Sequence, residues 1–138
     1  MAAKKNVEIQ VQLSHRPGAM AGAMEILAQA KINILAFCGY GHPGKNGQPG
    51  EAHAYFVVDK PAGAKAALRK ARYKFKANPV VTVTTGSGCG AAAKIARAIA
   101  DAGVNLEYVY ASTSGSGKGT AVFAAASQAK LLKAARKF

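Results

Sequence analysis

The chain has 138 residues, half of them hydrophobic, with 19 Lys and Arg against six Asp and Glu, a formal net charge of +13. Half apolar is enough to bury a core, which excludes disorder as the main state, and no apolar run reaches the roughly 18 residues of a membrane helix. Two cysteines, Cys38 and Cys89, form neither a disulfide framework nor a zinc set, and Met1-Ala-Ala-Lys-Lys-Asn-Val lacks a signal-peptide core. A soluble, cytoplasmic protein without a membrane partner is the expectation. The positive field recruits anions, which leaves nucleic acid, acidic metabolites and acidic proteins open.

Val7 to Leu13 alternates with period two and reads as a half-buried strand, and Met20, Ala23, Met24 and Leu27 recur at helical spacing. Ile32 to Tyr40 and Glu51 to Val58 read as two further strands. The turn formers of Gly41-His-Pro-Gly-Lys-Asn-Gly-Gln-Pro-Gly50 join them as a hairpin. Asp59 is placed to cap a helix beginning at Pro61, with Ala64, Ala67 and Leu68 as its apolar stripe.

Only thirteen residues, Tyr73 to Thr85, precede the next glycine-rich loop. They are expected to supply two strands, Tyr73 to Ala77 closing one unit and Val80 to Thr85 opening the next, with Pro79 as the break. A helix from about Gly90, strands at Val104 to Ala111 and Thr120 to Ala126, and a helix through Leu131 and Leu132 follow. The order is that of the first half.

The two halves also match residue by residue at a shift of 72. Gly18/Gly90, Ala19/Ala91, Ala21/Ala93, Ala28/Ala100, Ala30/Ala102 and Asn33/Asn105 are identical pairs. The expected organisation is residues 1–77 and 78–138 as two units, the second without a closing strand. Its opening strand would then leave an edge for a second chain, or for the first unit, to cover.

His15-Arg-Pro-Gly-Ala-Met-Ala21, with Ile32-Asn-Ile34 beyond the helix, resembles the signature of the ACT domain, and Ala102-Gly-Val-Asn-Leu106 resembles its other half. The resemblance covers nearly the whole chain. It implies an α+β fold: tandem ferredoxin-like βαββαβ units whose antiparallel sheets carry helices on one face. It also implies a homodimer, a non-catalytic regulatory role towards an enzyme, no cofactor, and an amino acid as the small-molecule ligand near the first loop.

The physics of that loop agrees with an anionic group. Unpaired N–H groups and the positive end of the helix dipole favour a carboxylate, and glycine allows close approach. The ligand-binding residues expected in the first unit are His15, Arg16, Pro17, Gly18, Ala19, Met20, Asn33 and Ile34, with Gly18 foremost. In the second unit they are Gly88, Cys89, Gly90 and Asn105, around a loop that lacks the motif's side chains. His15 stands where the family has Asp or Asn.

Ser114-Gly-Ser-Gly-Lys-Gly-Thr120 is similar to a phosphate-binding loop. Its leading glycine is missing at Ser112, and the repeat places it between two strands. The carboxylates Glu8, Glu25, Glu51, Asp59, Asp101 and Glu107 stand singly, and the three histidines have no metal-binding spacing, so neither catalytic nor metal residues are expected. The alternative is a nucleic-acid-binding module using basic helix faces. Lys60, Lys65, Arg69, Lys70, Arg72, Lys74 and Lys76 would form one face and Lys130, Lys133, Arg136 and Lys137 the other.

Overall fold

The structure is a computed structural model and describes residues 2–86, 88–112, 115 and 117–137. In chain order its elements are β1 (Ala2–Ser14), α1 (Ala19–Gln29), β2 (Ile34–His42), β3 (Glu51–Val58), α2 (Pro61–Lys70), β4 (Phe75–Gly86), α3 (Ala91–Asp101), β5 (Leu106–Ser112), β6 (Lys118–Ala125) and α4 (Gln128–Ala135). The chain divides into two compact units, Val7–Asn78 and the residues up to Asn6 together with those from Pro79 onward.

Within Val7–Asn78 the strand order is β2-β3-β1-β4. Period-two alternation turns Ile9, Val11 and Leu13 of β1 to one face, where the antiparallel register sets Ile9 against Phe56 and Val11 against Ala54. Ala23 and Leu27 of α1 and Ala64 and Leu68 of α2 complete a buried cluster there. Phe56, Leu27 and Leu68 are fully enclosed, each contributing about 1.5–3 kcal/mol of hydrophobic free energy.

The second unit repeats the plan, with order β1-β4-β6-β5. Val81 and Val83 meet Phe123 and Ala125 beneath Ile95 and Ile99 of α3 and Leu131 and Leu132 of α4. Both units carry an irregularity at the same place, between Ile34 and Ala36 in β2 and between Leu106 and Tyr108 in β5. These are βαββαβ-like units, antiparallel sheets with helices packed on one face, as the sequence implied.

Three local expectations are corrected. Strand β1 begins at Ala2, and its first part lies with the second unit rather than the first. Ala3 packs against that core, Asn6 Nδ2 donates to Thr82 Oγ1 at 3.5 Å, and Arg136 Nε donates to the Ala3 carbonyl at 3.5 Å. The second unit therefore has a strand beside β4, and the chain's own β1 covers that edge, one of the two outcomes the sequence left open.

Pro79 does not interrupt β4, which runs from Phe75 to Gly86; the division between units falls there instead. Proline lacks only the N–H, so a position whose donor side needs no partner tolerates it. Asp59 does not cap α2. Lys60 occupies the cap without a side-chain bond, while the Asp59 carboxylate accepts from the Asn33 N–H at 2.9 Å and the Asp59 N–H donates to the Asn33 carbonyl at 3.1 Å.

Candidate functional site

The loop between β1 and α1 is folded by its own backbone. The Arg16 N–H reaches the Ser14 carbonyl at 2.9 Å, and the Ala19 N–H reaches the Arg16 carbonyl at 3.3 Å. Gly18 then takes the left-handed conformation, φ 85°, and opens α1 with no side-chain cap. Left-handed backbone is costly for residues with a Cβ, which is why glycine stands here. A Cβ on Gly18 would meet nothing within 4 Å, so its conformation, rather than a shortage of space, requires glycine.

Beside this loop lies a cavity of about 230 Å³, lined by His15, Arg16, Ala19 and Met20 from the loop and helix, and by Gly39, Tyr40, Gly41 and His53 from β2 and β3. Two bare positions shape it. A Cβ at Gly39 would collide with Met20 Cε, and one at Gly41 with the His15 imidazole. These glycines escaped the sequence reading, although isolated glycines inside a strand pattern signal close approach. Arg16 is exposed and makes no ion pair among the described residues.

The other expected residues lie elsewhere. Pro17 and Gly18 shape the loop without lining the cavity. Asn33 is fixed to Asp59 through its backbone at the far end of α1, and Ile34 packs against the core. In the second unit Gly88 and Cys89 line a cavity of about 330 Å³ with Lys94. Gly90 opens α3 at φ 84°, and Asn105 is exposed beyond that helix.

The segment resembling a phosphate loop joins β5 to β6, antiparallel strands with Ser112 opposite Thr120, not a strand to a helix. Its Ser114 and Ser116 lie outside the described residues. The basic cluster is divided: Lys65 and Arg69 belong to α2, with the Arg69 guanidinium 5.6 Å from the Phe75 ring centre, whereas Lys74 lies in the turn before β4 and Lys76 within it. The expected basic helix face is thus smaller than the sequence suggested. Among the described residues no group of three His, Cys, Asp or Glu could hold a metal, and no helix is long and apolar enough to cross a membrane.

On the sheet face opposite the helices, Tyr55 and Tyr40 bring their hydroxyls to 3.1 Å. Burial first, then this hydrogen bond, raises the Tyr55 hydroxyl pKa above the ordinary tyrosine value, and the Glu8 carboxylate adds to the effect. Glu8 is fully buried and accepts from Asn78 Nδ2 at 3.3 Å; the same amide donates to Gln10 Oε1 at 3.0 Å.

The α+β fold of two βαββαβ-like units is shared with solved structures. A protein of Bacteroides thetaiotaomicron has a TM-score of 0.80 and 22% identity, over 98% of this chain and 89% of that one. The regulatory subunit of aspartate kinase from Thermus thermophilus, in its ligand-free form, matches with a TM-score of 0.67 and 21% identity over 99% and 94% of the two chains. Aspartate kinase from Synechocystis matches with a TM-score of 0.65 and 22% identity, over 99% of this chain and 26% of that one. At such identities the likeness is one of fold. No family model and no curated protein matches the chain.

Proposed function

We propose that this chain is a non-catalytic regulatory protein that binds an amino acid in the cavity beside the first loop and acts on a partner enzyme in the cytoplasm. The observation that carries the reading is the cavity itself. Arg16 and the N–H groups at the start of α1 offer a carboxylate two favourable partners, while Gly39 and Gly41 leave room for the Met20 and His15 side chains that border the cavity. At about 230 Å³ it lies below the range of drug-sized pockets and suits a small ligand. The structural likeness to aspartate kinase regulatory subunits supports a regulatory role.

The cavity at Gly88, Cys89 and Lys94 is the second, unequal site of this reading. A homodimer belongs to it as well: β2 lies at a sheet edge and leaves Leu35 and Phe37 48% and 55% exposed.

A thermal-shift screen of the full chain against the twenty amino acids tests the proposal. A ligand at 100 times its Kd adds about 2.7 kcal/mol of stability. One amino acid should raise Tm, Arg16→Gln should reduce that response severalfold, and the exposed α4 pair Lys130→Gln and Lys133→Gln should not. A flat response to all twenty would reject the reading.

A further inference from the structure

We propose that the helix-free sheet face of the Val7–Asn78 unit binds single-stranded nucleic acid, a second activity on a face that shares Arg16, Tyr40 and His53 with the amino-acid cavity. Alternation along β1 sends Gln10 and Gln12 to the face opposite Ile9, Val11 and Leu13. The register of β3 with β1 and β2 places Tyr55 beside Gln10 and Cys38, and His53 beside Gln12 and Tyr40, on that same face.

The aromatic groups form a connected platform. Tyr40 is 45% exposed and stacks on Tyr55, ring centres 5.9 Å apart and planes inclined by 24°. Its ring centre lies 5.7 Å from that of His53 and 5.5 Å from that of His42. His53 Nδ1 is buried and has no hydrogen-bond partner among the described residues, which leaves a polar atom for an incoming group to satisfy.

A basic border lies alongside. One cleft of about 340 Å³ reaches Arg16 and Arg72, a second of about 280 Å³ reaches Lys76 and His53, and the two share Gln12 and Lys74. No carboxylate lines either cleft. Glu8, on the same face, is buried and accepts from the Asn78 amide, and Glu51 lies at the start of β3 opposite His42.

Rings for stacking, amides for base edges and cations for phosphates are what an unpaired strand requires. A duplex hides its base faces and would use only the cations. The net charge of +13 supplies long-range attraction in the same sense.

Fluorescence anisotropy of the full chain with a labelled single-stranded RNA of about 12 nucleotides, at about 50 and about 200 mM salt, tests this. If Arg16, Arg72, Lys74 and Lys76 each meet a phosphate, the slope of log K against log salt is about −2.8, since each contact contributes about −0.7. Lys74→Gln with Lys76→Gln should weaken binding at least tenfold and flatten the slope to about −1.4. Tyr40→Ala should weaken binding about tenfold and leave the slope unchanged.

Lys130→Gln with Lys133→Gln removes the same charge from α4, whose residues line neither cleft, and should change affinity less than about twofold, since the long-range attraction is screened by salt. The lysine pair keeps the test decisive should Tyr40→Ala disturb the fold. The proposal is overturned by equal losses in the two lysine pairs, by a salt slope that Lys74→Gln with Lys76→Gln leaves unchanged, or by a duplex that binds as tightly as the single strand.

Discussion

Gly18 and Gly90, 72 residues apart, begin α1 and α3 with the same backbone, φ 85° and ψ −9° in one and φ 84° and ψ −4° in the other. Neither would meet another atom within 4 Å if given a Cβ. The repeat thus preserves a conformation, and Gly18→Ala and Gly90→Ala should each cost about 1–2 kcal/mol from left-handed strain alone. Urea denaturation of both variants checks this; equal losses are expected, and a loss below about 0.3 kcal/mol at either site would mean the turn relaxes.

Lys31 and Gly103 stand at equivalent positions just past α1 and α3, at φ 60° and φ 71°. Each helix ends in the same pair of bonds, Lys31 N–H to the Ala28 carbonyl and Ile32 N–H to that of Leu27, matched by Gly103 to Ala100 and Val104 to Ile99. The first unit therefore holds a lysine where the second has the residue the geometry favours. Lys31→Gly should stabilise by about 0.5–1 kcal/mol and raise Tm by about 2–4 °C, since the Lys31 carbonyl that accepts from Lys60 Nζ remains.

The helices and most strands were legible because apolar period and turn residues coincide in them, as at Glu51–Val58 and Pro61–Lys70. Strand β1 was not legible before Val7. Lys4, Lys5 and Asn6 give no apolar alternation, and Ala3 is too small to mark a face, yet Ala3 packs against the second core. Glu8, a polar position in the period-two alternation of Val7 to Leu13, is fully buried. In the candidate site the motif pointed to His15, Arg16, Ala19 and Met20, which share one cavity with residues the motif does not contain. Gly39, Gly41 and His53 enter through the register of β2 on β3, which hydrophobic pattern does not determine when the hairpin loop is long.

Tyr55 supplies a pH prediction. Its hydroxyl pKa is raised above the reference value of 10.0, by burial first and by the Tyr40 hydroxyl next. The folded state holds this proton more tightly than the unfolded chain, so the contribution to stability is complete below pH 10.0 and is lost as pH rises towards the folded-state pKa. Spectrophotometric titration near 295 nm should show a late ionisation, above the reference value of 10.0. Tyr55→Phe should remove that late step and make stability less dependent on pH between about 9.5 and 11. A late step that persists in Tyr55→Phe would assign it to another tyrosine.

Met20 and Gly39 are complementary in size, and the repeat shows how the pair can change together. At the shift of 72 their counterparts are Ala92 and Ala111, a smaller residue on the helix and a larger one on the strand. The cross-strand register confirms the correspondence, Gly39 lying opposite Ala54 and Ala111 opposite Ala121. Gly39→Ala alone pushes a methyl into Met20 Cε and forces that side chain to swing within the cavity. Overpacking of this kind costs about 1–3 kcal/mol where a side chain cannot retreat, and Met is flexible enough to place the loss near the lower end. Met20→Ala with Gly39→Ala should recover most of it, giving a coupling energy of about 0.5–1 kcal/mol in a double-mutant cycle read by urea denaturation. Strict additivity would show that Met20 already moves freely away from β2, and the cavity would then owe its shape to the backbone alone.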